Sequence, residues 1–228
     1  MTRTPVNIPR CPGRDEIRSS IESVLVEGKG GKADVLVLRT GEGRVVVKDF
    51  AGRGLWGRCV GRIQIRRESA VYGRLRGVAG VPAFVGRIDP LALAIEWIDG
   101  ERLAFLSVPE GDVPPILAKL RATIDAMHAR GVVHNDLRGR ENVLLRRDGG
   151  VAVVDLAAAI HLTPGGLAHR LFFRFLATAD EAAYLKWKGM LAPGSYTPRE
   201  ASFLRRFERW RRLWPFNPKR RKAGPGRV

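Results

Sequence analysis

The chain has 228 residues, and its 40 Lys or Arg against 23 Asp or Glu give a formal net charge of +17. Hydrophobic residues make up 45% of the chain, which excludes wholesale disorder and suits one compact domain or two small lobes around a cleft. No run approaches the about 18 uncharged apolar residues of a membrane span, and Cys11 and Cys59 form no metal-binding pair, which excludes a structural zinc site.

Short strands dominate the first half of the chain. Residues 1–20 are rich in Pro, Arg and Ser and predict an irregular lead-in. Three β-branched runs separated by glycine turns predict an antiparallel meander, and residues 63–75 have the spacing of a helix. Two more strands are predicted before the link at residues 99–100. The predicted strands are residues 23–27, 33–39, 44–48, 84–87 and 91–97.

Helices dominate the second half. The first predicted helix places its apolar side chains along one face and ends at Gly131. The last predicted helical region has breaks at Pro193 and Pro198, and two short apolar strands precede it. The predicted elements are helices at residues 114–130 and 167–214 and strands at residues 143–145 and 151–155.

A strand-rich half followed by a helix-rich half, joined by one short link, predicts a bilobal protein. No internal repeat interrupts this order. The predicted units are an irregular lead-in at residues 1–22, an N-terminal lobe at 23–98, a C-terminal lobe at 99–198 and a basic aromatic tail at 199–228.

The most informative run is HNDLRGREN at residues 134–142. It resembles the catalytic loop of the protein-kinase-like superfamily, in which His-Arg-Asp-Leu is followed by a short spacer and Asn. Asp155 stands thirteen residues after Asn142, where that family keeps its metal-binding Asp. Lys48 ends the third predicted strand, and Glu68 follows 20 residues later, in the order of the family's nucleotide lysine and its partner glutamate.

The resemblance covers roughly residues 23–160 and implies an α+β, protein-kinase-like bilobal fold, with an antiparallel sheet in the N-lobe and a reduced, mainly helical C-lobe. It implies ATP and Mg²⁺ as cofactors and transfer of the γ-phosphoryl group to a hydroxyl acceptor. Residues 95–100 resemble the hinge that binds adenine. The implied nucleotide site consists of Lys48, Glu68, Gly28, Gly30, Gly31, Val46, Glu96, Ile98 and Leu144.

The roles implied by the resemblance follow from the negative charge of a nucleoside triphosphate. Lys48 holds the α- and β-phosphates, and Glu68 orients its ammonium group. Asp155 and Asn142 supply the oxygen ligands that Mg²⁺ prefers. The implied catalytic residues are Asp136, which accepts the proton of the attacking hydroxyl or orients that hydroxyl, Arg138, which steadies the transferring phosphoryl group, and His134, which braces the loop.

Several residues depart from the family pattern. The loop between Asp136 and Asn142 is one residue longer than usual. Asn135 replaces the usual arginine, and Asp-Leu-Ala at residues 155–157 replaces Asp-Phe-Gly. Only 73 residues follow Asp155 and no Ala-Pro-Glu run closes an activation segment, which resembles the RIO-type kinases and the bacterial kinases of the lipopolysaccharide core.

The resemblance leaves the acceptor open between a protein Ser or Thr and a lipid-linked sugar of the lipopolysaccharide-core type. Two other functions remain as alternatives. A pseudokinase would act as a scaffold or a nucleotide sensor at an anionic surface. A RIO-like kinase would be associated with RNA and would bind it in a salt-dependent way.

The excess positive charge is concentrated near the C-terminus, where residues 199–228 carry 11 Lys or Arg and two Glu, a net charge of +9. Aromatic residues recur at helical spacing among the first of these arginines, which predicts that residues 199–222 contact an anionic membrane surface or pack on the protein itself. A second basic stretch surrounds Trp56. The chain is expected to be cytoplasmic, or peripheral on the inner face of the membrane, and nucleic acid is the less favoured partner because no recognition module is present. The aromatic residues are Phe203, Phe207, Trp210 and Trp214.

Overall fold

The computed structural model describes the backbone of residues 9–213 and the side chains of residues 9–209. Within these ranges the chain forms a five-stranded antiparallel sheet, two smaller antiparallel sheets and five α-helices. The helices are α1 (Arg14–Ser19), α2 (Leu55–Arg74), α3 (Val113–Ala129), α4 (Leu167–Leu191) and α5 (Pro198–Leu213). The strands are β1 (Ile21–Val26), β2 (Asp34–Thr40), β3 (Gly43–Asp49), β4 (Phe84–Asp89), β5 (Ala92–Glu96), β6 (Gly100–Arg102), β7 (Val132–Val133), β8 (Val143–Arg146), β9 (Val151–Val153) and β10 (Ile160–His161).

The five-stranded sheet has the order β1-β2-β3-β5-β4, and all neighbouring strands are antiparallel. The predicted three-strand meander is therefore confirmed. Alternation along β3 points Val45 and Val47 to one face, where both are fully buried in a cluster with Ile17 of α1. Val46 and Lys48 point to the opposite face, toward α2 and the larger core.

The sequence predicted an irregular lead-in, but residues 14–19 form the helix α1. Ile17 is the single buried residue of this short helix, so no apolar periodicity marks it in the sequence. α2 begins at residue 55 rather than at residue 63. Gly57 and Gly61 lower the helix propensity of its first two turns, and both are buried in close contacts that a larger residue would block.

One apolar cluster joins the sheet, α2, α3 and α4. Its members come from segments far apart in the sequence, so it fixes the mutual positions of β3, α2 and the loops that follow β7 and β9. The two smaller sheets, β6-β8-β9 and β7-β10, border these loops. Fully buried members of the cluster include Ile65 and Tyr72 of α2, Leu93 of β5, Ile124 of α3 and Trp187 of α4.

Replacing Gly61 by Ala is expected to destabilise the fold by about 1–3 kcal/mol, because overpacking a closed contact forces side chains or backbone to move. The added Cβ would lie 2.4 Å from Cγ of Phe50, which is fully buried. Gly73→Ala in the same helix meets no atom within 4 Å, and we expect it to stabilise the fold by about 0.5–1 kcal/mol. Urea unfolding measures the free energy of unfolding of both variants. Equal changes in the two variants would contradict the packing of α2 on Phe50.

Candidate active site

A cavity of about 260 Å³ opens between the five-stranded sheet and the segment that leads into β8. Apolar side chains from the sheet and polar side chains from the loops line it together. A larger cavity of about 490 Å³, beside residues 99–101 and Lys119, contains none of the residues predicted to act in chemistry. The predicted site residues that line the smaller cavity are Val46, Lys48, Glu96, Ile98, Asn142, Leu144 and Asp155.

Lys48 is buried at the wall of this cavity between two carboxylates. Its Nζ lies 2.6 Å from Oε1 of Glu68 in α2 and 2.7 Å from Oδ1 of Asp155. Only 6% of Lys48 and 1% of Glu68 is exposed, whereas the Asp155 side chain is half exposed. Residues from β3, α2 and the loop after β9 therefore converge on one ammonium group.

Burial and mutual charge set the protonation of this cluster. Burial disfavours the Lys48 ammonium, but the carboxylates of Glu68 and Asp155 outweigh burial and raise the pKa of Lys48. Burial also disfavours the Asp155 carboxylate, but Lys48 outweighs it and the pKa of Asp155 is lowered. Burial raises the pKa of Glu68, and Lys48 offsets part of that shift. At neutral pH Lys48 is therefore a cation that faces an anionic Asp155.

A buried carboxylate anchors the loop after β7. Asp180 of α4 is 1% exposed and accepts hydrogen bonds from the backbone N–H groups of His134 at 2.8 Å and Asn135 at 2.9 Å. Its Oδ2 also lies 3.0 Å from Nε2 of His128. Asn135 has φ of +66°, a left-handed conformation that Asn tolerates better than most residues. Asp180 and this turn together fix the path of the loop.

His134 is fully buried and braces the loop through both ring nitrogens. Its Nδ1 accepts from the backbone N–H of Asp136 at 3.3 Å, so the ring proton is on Nε2, which donates to the Val154 carbonyl oxygen at 3.0 Å. Nδ2 of Asn142 donates to the backbone oxygen of Asp136 at 2.8 Å and to its Oδ2 at 3.3 Å. The additional residue in the loop does not separate Asn142 from Asp136.

Asp155 follows β9 in a left-handed conformation, with φ of 64° and ψ of 76°. Its Oδ1 accepts from the backbone N–H of Ala157 at 3.4 Å, at the start of a 3₁₀ turn. Leu156 is buried in the main apolar cluster, where its side chain anchors the turn. The Asp-Leu-Ala segment thus holds a carboxylate at the cavity wall without a glycine at its third position.

Arg138 does not line the cavity and is engaged by α5 instead. Its Nη2 lies 2.7 Å from Oε1 of Glu208, and its guanidinium carbon lies 5.8 Å from the centre of the Phe207 ring. Lys186 donates to the Arg138 backbone oxygen at 2.5 Å. Nη1 of Arg138 is buried and has no hydrogen-bond partner among the side chains and backbone described. The charge of this guanidinium is therefore balanced by a carboxylate of the same chain.

The glycine turn after β1 is held by Arg53, just before α2, and does not line the cavity. The backbone N–H of Gly28 donates to Oδ1 of Asp34 at 2.8 Å, and Arg53 bonds to both the Gly28 carbonyl and Asp34. A Cβ on Gly28 would lie 2.3 Å from a backbone oxygen four residues on, so only glycine fits there. Gly30 and Gly31 are also absent from the cavity lining.

The segment after β5 forms one edge of the cavity. Glu96 is buried, and its Oε2 accepts from the backbone N–H of Ala83 at 2.8 Å. Its own backbone N–H donates to the Ala83 carbonyl at 2.9 Å. Ile98 is 5% exposed and belongs to the same lining as Val46 and Leu144. These contacts fix a length of backbone beside an apolar part of the cavity.

α5 packs on α4 through its described side chains. Nζ of Lys188 lies 2.8 Å from both carboxylate oxygens of Glu200, and the rings of Phe203 and Phe207 stack with their centres 6.1 Å apart. The Trp210 side chain and the whole of the segment from residue 214 onward lie outside the described residues, so the rest of the aromatic face stays a prediction. No helix in the described part is long and apolar enough to cross a membrane.

The sequence analysis missed Asp180, which accepts hydrogen bonds from two consecutive backbone N–H groups of the loop. The available signal is an acidic residue within the run ATADEAA of α4. Asp180, Ala183 and Trp187 recur at helical spacing, and all three are buried. A carboxylate on the buried face of a helix needs hydrogen-bond donors, and the backbone of the loop supplies them.

No protein-family model matches the chain. CBL-interacting serine/threonine-protein kinase 16 of Arabidopsis thaliana is 30% identical over 136 residues, which is 56% of this chain and 28% of that protein. Serine/threonine-protein kinase PknE of Mycobacterium tuberculosis is 31% identical over 140 residues, 58% of this chain and 25% of that protein. Serine/threonine-protein kinase mrck-1 of Caenorhabditis elegans is 27% identical over 161 residues, 65% of this chain and 10% of that protein.

The chain thus spans about a quarter of the length of the first two relatives. All three relatives are Ser/Thr protein kinases, which supports a kinase-like superfamily and kinase activity in general. The α+β architecture with its antiparallel sheet is compatible with that relationship.

Proposed function

We infer that the protein is an ATP- and Mg²⁺-dependent phosphotransferase that phosphorylates a hydroxyl group. The observation that carries this proposal is the position of Lys48, whose ammonium lies between Glu68 and Asp155 at the wall of a cavity that Asn142 also lines. A buried cation that faces an open cavity suits a polyanionic ligand. The similarity to Ser/Thr protein kinases supports the same reading.

The proposal includes a bilobal layout with the cavity as its cleft. Residues 23–98 would form the N-lobe with the five-stranded sheet, and residues 99–198 a reduced, mainly helical C-lobe that carries the catalytic loop. Residues 1–22 and 199–228 flank these two units. The hydrogen-bonded segment around Glu96 would be the hinge, where its backbone and that of Ile98 bind the adenine edge. Val46 and Leu144 would supply the apolar contacts to the ring faces.

The side chains present fit a magnesium ion that is shared with nucleotide phosphates. Mg²⁺ is usually bound through one or two protein side chains, with phosphate oxygens and waters completing its coordination. Asp155 has a half-exposed carboxylate, and the Asn142 amide oxygen remains available because its nitrogen makes both bonds to Asp136. No group of three His, Cys, Asp or Glu in residues 9–209 is arranged to hold a metal alone. When bound, the ion would neutralise charge on the phosphates.

The remaining residues would act on the acceptor. Asp136 is exposed, and its backbone N–H and Oδ2 are fixed by His134 and Asn142, so its carboxylate is oriented to receive a hydroxyl proton. Lys48 would hold the α- and β-phosphates. Arg138 would steady the transferring phosphoryl group once its guanidinium is released from Glu208.

Two observations bear on the acceptor. The relatives are named for Ser/Thr protein substrates, which favours a protein hydroxyl. The segment between Asp155 and α4 spans only residues 156–166, which leaves a short platform for an extended peptide. This favours either a lipid-linked sugar, as the lipopolysaccharide-core resemblance suggests, or a RIO-like acceptor. Radiolabelled ATP offered to protein, lipid-saccharide and RNA fractions of a lysate distinguishes these classes by which one takes up label.

Asp155→Asn is expected to lower transfer of label from γ-labelled ATP by about 100-fold or more, because it removes the charge that faces Lys48 and the proposed metal. Asp125→Asn, an exposed acid of α3, is the matched control and is expected to match the unmodified protein. Chelation of Mg²⁺ should abolish transfer in both. Equal, metal-independent label in all samples would instead favour a pseudokinase scaffold, and loss of a copurifying nucleic acid at high salt would favour the RNA-associated alternative.

A further inference from the structure

The outer face of α2 exposes large apolar side chains at one end. Leu55 and Trp56 lie in the first turn and are 84% and 79% exposed, and Ile63 is 64% exposed two turns later. Residues 55, 59 and 63 are four apart, so they lie along one side of the helix, and Trp56 is beside them. Cys59 lies between them and is also exposed. The packing of the described residues leaves this apolar end in contact with solvent.

The same face is strongly basic. Arg58, Arg62, Arg66 and Arg67 are exposed, and none of them forms an ion pair with the described side chains. The single acidic residue of α2 is Glu68, which points inward and pairs with Lys48. The first turn contains no acidic residue, so the positive end of the helix dipole adds to the side-chain charge. The face therefore complements an anionic partner.

We propose that the outer face of α2 docks the protein on an anionic lipid bilayer. Aliphatic and aromatic side chains flanked by arginines match a bilayer, because acyl chains accept the apolar groups while the long arginine side chains reach the headgroup phosphates. A nucleic-acid backbone offers the phosphates but no counterpart for Leu55 and Ile63. This docking does not depend on the proposed phosphotransferase activity.

A second exposed apolar stripe lies on the first half of α4. Leu167 and Leu171 are exposed there, one turn apart. Their neighbours Arg170 and Arg174 are two arginines, against the four named above on the outer face of α2. Charge complementarity thus favours α2, and the α4 stripe serves as the control surface.

Sedimentation of the 228-residue chain with vesicles tests the proposal. Binding is expected to vesicles of phosphatidylcholine with 40% phosphatidylglycerol and not to phosphatidylcholine alone. Because each basic residue near an acidic surface strengthens binding severalfold, R58Q/R62Q/R66Q is expected to lower the partition coefficient by about 100-fold. L55S/W56S/I63S is expected to lower it by at least about 10-fold, because the apolar contribution is lost.

Two matched variants control for charge and for apolar content. R18Q/R87Q/R147Q removes the same charge from exposed residues outside α2 and is expected to change the partition coefficient less than threefold. L167S/L171S removes exposed apolar groups from α4 and is expected to have a similarly small effect. All variants keep the basic tail, so a contribution from residues 199–228 is common to every sample.

A polarity-sensitive fluorophore on Cys59 gives a readout that is independent of affinity. Cys11 is half buried, and Cys11→Ala leaves Cys59 as the single thiol of the chain. Addition of the anionic vesicles is expected to shift its emission to the blue, because Cys59 lies between Leu55 and Ile63. Unchanged emission, loss of binding in the α4 variant alone, equal loss in both arginine variants, or binding of homopolymeric RNA without binding to vesicles would each overturn the proposal.

Discussion

Replacing Asp136 by Asn is expected to lower the rate of phosphoryl transfer by about 10²- to 10⁴-fold, while the affinity for nucleotide changes less than about threefold. Asn has the same shape but is not basic enough to receive the hydroxyl proton. Asp136 does not line the cavity beside Lys48, and its backbone is held by His134, so the substitution leaves the cavity intact. The rate of phosphoryl transfer should therefore fall while the affinity for nucleotide stays nearly constant.

Single-turnover transfer from labelled ATP measures the rate, and titration with a fluorescent nucleotide analogue measures the affinity. Asp112→Asn, an exposed acid that precedes α3, is the control for loss of one negative charge. A variant of Asp136 that transfers at the rate of the unmodified protein would remove this residue from the proposed chemistry. A parallel loss of rate and binding would instead assign it to nucleotide binding.

The second large effect concerns stability. Asp180→Ala is expected to destabilise the fold by about 2–4 kcal/mol, because the buried backbone N–H of His134 and the partly buried N–H of Asn135 lose their acceptor, and an unsatisfied buried group costs about 1–3 kcal/mol. The contact with His128 is lost as well. Since these groups define the loop that carries Asp136, activity should fall with stability.

Urea unfolding measures the free-energy change, and Asp125→Ala on the exposed side of α3 is the control. Asp180→Asn keeps one acceptor oxygen, so its free energy of unfolding is expected to lie between those of Asp180→Ala and Asp125→Ala. If Asp180→Ala unfolds at the same urea concentration as the control, the loop is held by other contacts. Far-UV circular dichroism before the titration ensures that each variant begins folded.

The sequence predicted the antiparallel meander because β-branched runs and glycine turns are local signals. The order of Lys48, Glu68 and Asp155 indicated a shared site because each lies next to a recognisable strand or helix. Other features depend on tertiary contacts that no local pattern carries. The resemblance placed Gly28 of the glycine turn in the implied nucleotide site, yet Arg53 and Asp34 hold this residue outside the cavity lining.

Dependence on tertiary contacts also explains why the sequence analysis did not identify Asp180 and Glu208. Asp180 looks like any helical acid until the fold brings the loop to it. Glu208 lies among arginines in the sequence, and its contact with Arg138 spans 70 residues. Periodicity identified the aromatic face of α5 but gave no information on which loop that helix would meet.

The contact between α5 and Arg138 also governs how shortened versions of this protein behave. A chain that stops before residue 198 loses Glu208 and Phe207 together and leaves an unneutralised guanidinium, whose Nη1 has no hydrogen-bond partner within residues 9–209. Such a chain gains a free anion-binding group in the loop that carries Asp136, so its response to sulfate or phosphate in the buffer would differ from that of the 228-residue chain. Assays on a truncated domain therefore describe a different electrostatic state of the loop.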